Sequence, residues 1–443
     1  MGAQHFKVAA VVATESSSAT PTPARAGAGR RRCASPKSTR QFLATAVGAL
    51  LCVAPLDVAA EQGAEALGLK GDASFYYYGE LGRISTFGPF FSGSWEPSPS
   101  RLISVQASVD VITGASPNGA RKLPIPQTFS TASGGSVYHT AADETPLAAF
   151  KREGRIAGQL GYTERFGSNH SLALGIGGST ERDYKSTRGT IGWSSELGRR
   201  NTTLDVQLRY EHAWIEPNGG VPVALSLMAA DKLTEGDSAA KDVVGASVAV
   251  TQVLSRTTLA QWGYSVQGDL GYLSDPYKVV TRVSNGDTVP ADLAYVYESR
   301  PESRWRHAFA VTVIQESRPV TFRGGYRLYL DGWGVVTHTG NTGLRVAIGE
   351  SVHLSATARG SFQSKADFYT YDLEPGRTVD HASADYRLGD LATVSGFLGG
   401  GVMLAEAHEL RVRAGPMHQF PLADGRFPSV TALIGHLSYV GEW

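Results

Sequence analysis

KDVVGASVAVTQVLSRTTLAQWGYSVQGDLGYLSDPYK, running from Lys241 to Lys278, is the stretch that decides the fold. In its second half Trp262, Tyr264, Val266, Leu270 and Tyr272 fall on one side of an extended strand, and Gln261, Ser265, Gln267 and Asp269 on the other, because strand side chains alternate with period two. The first half repeats the pattern, with Val244, Ala246, Val248 and Val250 set against Ser247, Ala249 and Thr251. A few turn residues join the two halves, which predicts a long antiparallel hairpin. Each arm runs to about a dozen residues, where strands of soluble proteins average about five or six and about nine to eleven tilted residues cross a bilayer. Aromatic residues toward the ends of the oily face suit the membrane interface. This is the pattern of a transmembrane barrel.

Composition agrees. The chain has 443 residues with 41 basic and 41 acidic side chains, so it lacks the cationic excess that nucleic-acid phosphates demand. Hydrophobic residues make up 42%, yet beyond the N-terminal region no run of eighteen apolar residues exists to form a spanning helix. A barrel can cross lipid with this composition because only alternate residues need be apolar. The 51 glycines, many inside the alternating segments, fit places where strands bend or side chains would crowd.

The N-terminus reads as an export signal. Arg30, Arg31, Arg32, Lys37 and Arg40 precede an apolar core from Phe42 to Leu56, and Val58-Ala59-Ala60 offers small residues for cleavage. Residues 1–60 are therefore expected to be a disordered N-region and secretory signal peptide, followed by a short periplasmic lead over 61–71. Thr39 stands where a twin-arginine signal needs its first arginine, which favours the general secretory route. Both cysteines, Cys33 and Cys52, fall inside this presequence. The remaining chain can cross an oxidising compartment without mispairing and offers neither thiol catalysis nor cysteine-ligated metal.

Alternating segments recur to the end of the chain. They include 72–81, Ile103 to Val111, Leu204 to Tyr210, Phe322 to Asp331, Val352 to Gln363 and Val430 to Trp443, with weaker ones at 84–95 and 335–348. Short and long connections alternate between them, so short turns are expected on the periplasmic side and long loops outside. The count is about sixteen strands, or fourteen without the weak pair. Five clear strands supply a second test: their 26 presumed lipid-facing positions hold no charge, whereas the 21 between them hold Asp110, Asp205, Arg209, Asp269, Arg323, Arg327 and Arg359. An Arg facing lipid at mid-bilayer costs about 2–4 kcal/mol. A soluble sandwich would segregate its faces too, but it accounts for neither the export signal nor the long strands ending on Trp443.

Asp110, Asp269, Asp331, Arg323, Arg327, Arg359, Arg411 and Arg413 are expected to project into the lumen. Facing rows of opposite charge could make a transverse field that selects polar solutes, or they could pair and stiffen the interior. Asp275-Pro276-Tyr277-Lys278 and Asp367-Phe368-Tyr369 fall at outer strand ends, where they either bind a ligand at the mouth or anchor loops. An enzyme reading finds little support. Asn169-His170-Ser171 puts adjacent side chains on opposite faces, Gly114-Ala115-Ser116 lacks an elbow's closing glycine, and the eleven histidines show no paired metal spacing.

The segments DVITGASPN (Asp110 to Asn118), GASVAVTQVLS (Gly245 to Ser255), GYLSDPYK (Gly271 to Lys278) and ADFY (Ala366 to Tyr369) occur in an order that resembles the domain of unknown function 3570 family, over nearly all of residues 72–443. The resemblance implies an outer-membrane barrel and, through the family's genetic surroundings, a periplasmic redox neighbourhood. It brings no activity and no cofactor. The expectation is an all-β, transmembrane, antiparallel up-and-down β-barrel over 72–443 that is not an enzyme. It passes or binds a small polar solute, with a plugged scaffold for periplasmic or surface partners as the alternative. Its expected partners are outer-membrane lipid, the barrel assembly machinery through the strand ending at Trp443, and periplasmic redox proteins.

Overall fold

A computed structural model describes residues 68–443 except 131–136, 229–231, 284–294, 375 and 423–426. The expected signal peptide and most of the periplasmic lead lie outside the described residues. In chain order the strands begin with β1 (Leu69–Glu80), β2 (Ile84–Ser98), β3 (Arg101–Pro117), β4 (Gln127–Ser130), β5 (Val137–Thr140) and β6 (Leu147–Phe166). They continue with β7 (His170–Thr180), β8 (Tyr184–Leu197), β9 (Thr202–Ile215), β10 (Val221–Pro222), β11 (Thr234–Gly236), β12 (Ala239–Val253), β13 (Thr258–Gly271), β14 (Val279–Arg282) and β15 (Tyr295–Tyr297). Next come β16 (Ser303–Ser317), β17 (Val320–Asp331), β18 (Val336–Ile348), β19 (Val352–Gln363) and β20 (Asp372–Leu373), and then a 3-10 turn over Tyr386–Leu388. β21 (Leu391–Ala405), β22 (His408–Pro421) and β23 (Val430–Glu442) complete the chain.

Sixteen of these strands form one closed antiparallel barrel, in the order β1-β2-β3-β6-β7-β8-β9-β12-β13-β16-β17-β18-β19-β21-β22-β23. Closure comes from β1 pairing with β23, which leaves no open sheet edge. The decisive hairpin is β12 with β13, of 15 and 14 residues. It sets Val250 opposite Trp262, Val248 opposite Tyr264 and Ala246 opposite Val266 on the outward face. Tyr272, expected on that oily face, lies past the end of the strand instead. Gly271, at φ +104, turns the chain there.

Both weak candidates are barrel strands. β2 tolerates Pro89 because Gly88 and Pro89 have no partner in the ladder to β3, where a missing N–H costs nothing. A Cβ on Gly88 would lie 2.2 Å from the Val109 carbonyl oxygen, so the two backbones meet there only because the side chain is absent. β18 is hard to see because the first half of its outward face carries His338, Gly340 and Thr342, and the large apolar Leu344, Val346 and Ile348 are confined to its second half. β1 begins at Leu69, so residues 69–71 expected in the lead are strand.

The two rims differ. One holds the start of β1, the end of β23 and only tight turns, at 99–100, 167–169, 198–201, 254–257, 318–319, 349–351 and 406–407. The other holds every long connection, at 118–146, 216–238, 272–302, 364–390 and 422–429. Loop lengths do not alternate throughout, as the sequence suggested, because short turns at 81–83, 181–183 and 332–335 also lie on the loop rim.

The outer surface is a continuous apolar band of exposed side chains such as Ile156, Leu160, Ile176, Leu208, Leu354 and Leu398. Aromatic side chains bracket it: Trp214, Trp305 and Phe362 toward the loop rim, and Trp95, Tyr162, Trp193, Phe322 and Trp443 toward the turn rim. That is the arrangement lipid requires. The interior of the barrel is polar, and most of the buried apolar clusters among the described residues are built from the long loops.

Candidate functional site

Strand parity carries the charges inward, and they are not evenly spread. On β17, β18, β19, β21 and β22 the inward positions hold Arg323, Arg327, Arg345, Arg359, Arg411 and Arg413 against Asp331 and Glu409. The facing wall, from β3 to β13, holds Asp110, Glu153, Asp205, Glu211 and Asp269 with Arg155, Arg188, Arg209 and Lys241. One wall is strongly cationic and the other mixed.

Several of the expected lumen residues serve to stiffen the wall. Asp110 accepts a hydrogen bond from Tyr76 Oη at 2.9 Å, and Asp269 pairs with Arg306. Asp331 accepts from Arg304 Nε at 2.7 Å, and Arg411 bonds Glu409 at 2.5 Å. Arg413 donates to Thr357 Oγ1 at 2.9 Å and lies 4.3 Å over the Phe397 ring. Arg327 sits over the Tyr329 ring at 5.7 Å. Arg323, Arg327, Arg359 and Arg413 thus share one stretch of wall, away from Asp331 and Glu409 at its two ends. Arg304, Arg306, Arg345 and Glu409 escaped the sequence reading, although continuing the same parity through residues 303–317, 336–348 and 408–421 would have found them.

The long loops fold on one another into a cap across the loop rim. A hairpin of β4 and β5, a pair of β10 and β11, and a sheet in the order β15-β14-β20 are its regular parts. Val280, Val296, Leu373, Ala382 and Ala384 make one of its cores, and Ala120, Phe129, Val279 and Tyr297 another. The loops come from far apart on the rim, since β3 and β13 stand six places apart in a sixteen-strand ring. Even so, Val279 N bonds Asn118 O at 2.9 Å, and Arg121 reaches Asp372 at 3.4 Å. The cap therefore bridges the mouth. It also touches the barrel wall, where Gln363 Nε2 donates to the carbonyls of Arg387 and Gly389 at 2.9 and 3.1 Å.

At the centre of the cap is a buried charge cluster. Arg300, 3% exposed, bonds Glu298 at 2.6 Å and Asp385 at 3.0 Å, and Arg387 Nε donates to Asp385 Oδ1 at 2.8 Å. Lys278, fully buried, donates to the Pro117 carbonyl, and the Asp275 amide donates to Glu298 at 2.5 Å. Burial alone would raise the Asp385 carboxyl, but Arg387, Lys278 and Arg300 hold it well below the usual carboxylate range. Burial lowers Lys278. It raises Glu298 despite Arg300, and the nearby acids Asp275 and Asp385 add to that rise.

The mouth motifs are thus built into the cap as anchors. Asp275 and Lys278 belong to the charge cluster, and Tyr277 bonds Asp183 and accepts from Asn218 N at 2.9 Å. Asp367 N bonds Trp333 O at 2.9 Å, and Tyr369 packs against the Trp333 and Leu388 cluster. Glu298, Arg300, Asp385 and Arg387 went unnoticed in the sequence because partners up to 85 positions apart follow no period. His170 bonds Ser195 Oγ at 3.0 Å rather than Ser171, and Ser116 is buried in β3. Among the described residues no three metal-binding side chains converge.

Among solved structures the chain is similar to a bacterial polysaccharide outer membrane secretin, with 7% identity over 84% of this chain and 98% of that one and a TM-score of 0.45. It is also similar to the ferric enterobactin receptor of Pseudomonas aeruginosa, with 12% identity over 81% and 54% and a TM-score of 0.42. A third is the CymD monoaromatic hydrocarbon channel, with 8% identity over 86% and 89% and a TM-score of 0.38. Scores of this size carry no assignment of cargo or activity. No curated protein matches significantly. The sequence does match a family model over residues 41–430, nearly its whole length, and the chain belongs to the family described as "Protein of unknown function (DUF3570)".

Proposed function

We infer that the protein is a bacterial outer-membrane barrel that passes or binds a small polar solute through its charged lumen. The observation that carries this reading is the division of charge inside a closed barrel, with an arginine-rich wall facing a mixed one. Rings of sixteen to eighteen strands leave room for an aqueous channel, and charged linings select polar cargo. The apolar band and its aromatic borders support an outer-membrane location. Export by the general secretory route and insertion by the barrel assembly machinery through β23 complete the reading. Periplasmic redox proteins remain proposed neighbours.

A swelling assay on liposomes holding the folded protein tests passage. Entry of an isotonic small polar solute, faster than into protein-free liposomes, is expected. Equal rates, with insertion verified by heat-dependent gel mobility, would remove it.

The cap favours a second reading, a plugged barrel that anchors periplasmic or surface partners. Here the loop rim stays closed because its centre is a set of fully desolvated ion pairs. Loosening the cap by Arg300→Ala separates the two: a plugged barrel swells only in the variant.

A further inference from the structure

We propose that the outer wall of β7, β8 and β9 holds one acyl chain of a lipid in the loop-rim leaflet, and that Asp242 on β12 takes the amine of its headgroup. The proposal rests on the membrane location inferred above and is independent of solute passage.

The site follows from outward parity and register. Ile176 on β7, Gly189 on β8 and Tyr210 on β9 stand in one row across the strands, and Leu174, Ile191 and Leu208 in the next row toward the turn rim. Between the rows runs an open groove of about 680 Å³. Gly189 is its notch, where an added Cβ would meet nothing within 4 Å among the described residues. Trp305, Phe322 and Phe91 fold over the outward glycines Gly268, Gly324 and Gly93, but no described side chain covers Gly189. Both rows are apolar apart from the Tyr210 hydroxyl and lie within the apolar band, so the groove meets lipid tails rather than water. Those tails are as apolar as the groove, so the hydrophobic effect gives a chain no reason to enter. What the chain gains is dispersion contact, which an unfilled groove forfeits along its lining.

A polar clasp fixes the headgroup end. Tyr210 pairs with Val244 on β12, and Asp242 stands two residues nearer the loop rim on the same outward face. Asp242 Oδ1 accepts from Tyr210 Oη at 2.7 Å and from His212 Nδ1 at 2.8 Å. Oδ2 takes part in neither bond, and the side chain is 43% exposed. His212 meets Trp214 edge-on with ring centroids 4.5 Å apart, which sets the clasp at the level of the aromatic girdle, where headgroups lie. On β8 the outward residues from the notch toward the loop rim are Thr187 and then Lys185, whose charge Glu216 meets at 2.7 Å. The surface thus passes from apolar to polar in the direction in which a lipid passes from tail to head. A carboxylate turned outward at this level, steadied by two neighbours and with one oxygen left over, is complementary to a primary ammonium with its three donors.

Native mass spectrometry of the detergent-folded protein, titrated with phosphatidylethanolamine and with phosphatidylcholine of the same acyl chains, tests the proposal. One retained lipid per barrel is expected, with the ethanolamine lipid held about fivefold or more tightly, since a quaternary ammonium has no hydrogen to donate. Asp242→Asn should bring the ethanolamine lipid down to the choline level. Gly189→Leu, which fills the notch, should weaken both lipids about fivefold, the scale of roughly ten lost carbon–carbon contacts. Gly360→Leu puts the same side chain on an outward glycine of β19 that is equally bare, and should leave retention unchanged. Asp242→Asn carries the test alone where Gly189→Leu fails to show native gel mobility. Equal retention of the two lipids by the wild type overturns the site, as does a Gly360→Leu loss equal to that of Gly189→Leu. Flotation with liposomes keeps the two readings apart. Protein that floats without lipid preference loses the site and keeps the membrane location, and protein that does not float loses both.

Discussion

Gly441 stands where a barrel's closing strand would ordinarily carry an apolar side chain, and Trp443 accounts for it. A Cβ on Gly441 would lie 2.9 Å from the Trp443 ring and 2.8 Å from His408 Nδ1, and one on Gly71 3.1 Å from the same indole. The ring lies over two bare backbones while Trp443 and Leu69 exchange hydrogen bonds of 2.8 and 3.1 Å that seal β1 to β23. Outward Trp305, Phe322, Tyr77 and Phe91 cover Gly268, Gly324, Gly79 and Gly93 in the same way. Many strand glycines thus serve as seats for aromatic side chains, a use visible in the sequence only as an excess of glycine. Gly441→Leu should displace the indole and cost about 1–3 kcal/mol, the usual price of overpacking. Urea unfolding in lipid vesicles would measure it, and an unchanged midpoint would count against the seat.

At the same scale, Arg300→Ala leaves Glu298 and Asp385 buried beside fewer cations, a loss of about 3–5 kcal/mol for a broken buried pair. Because the barrel ladder does not include Arg300, the damage should stay in the cap. Limited proteolysis should cut within 272–302 while gel mobility keeps its heat dependence. The pH response follows from Asp385. Its folded pKa is depressed, so its contribution is present above the ordinary carboxylate value and is lost as pH falls through the folded one. Glu298, raised, has the opposite sign, and its contribution shrinks as pH climbs above that value. The acid limb of cap loosening, read by proteolysis, should therefore begin only below about pH 4.

At the scale of strands, nearly everything that follows from period two was legible. The β12–β13 hairpin, the uncharged lipid face and the count of sixteen depend on local alternation, and burial on one side enforces it. Where alternation fails, so did the reading. Tyr272 was placed on the oily face because nothing in the sequence marks the positive φ of Gly271. The strand at 336–348 looked weak because its outward face is small and polar from His338 to Thr342, before Leu344, Val346 and Ile348 restore it. The parity claim has a direct test on β9. Leu208→Arg, on the outward face, should cost about 2–4 kcal/mol in vesicles, whereas Gln207→Arg, facing the lumen, should cost far less. Equal costs would mean that the faces are misassigned.

At the scale of the whole molecule the protein combines two bodies that sequence reveals unequally. The ring is periodic and could be read, whereas the cap is assembled by contacts such as Arg300 with Asp385 and Arg121 with Asp372, across long separations without pattern. Half of the candidate site was legible for the same reason. Arg323, Arg327, Arg359 and Arg413 obey parity, but their gathering on one stretch of wall depends on the pairing of β17, β18 and β19 and on the place of β22 in the ring, which only the fold supplies. The cap and the cationic wall also pull the functional account in opposite directions, one closing the mouth and the other furnishing a path. The measurement that decides between them most directly is single-channel conductance in a planar bilayer, for the wild type, for Arg323→Ala with Arg327→Ala, and for Arg300→Ala. A solute-passing lumen predicts discrete current steps with anion preference, a shift toward cations in the double variant, and larger or more frequent steps when the cap is loosened. Inserted protein that stays silent in all three forms would contradict it.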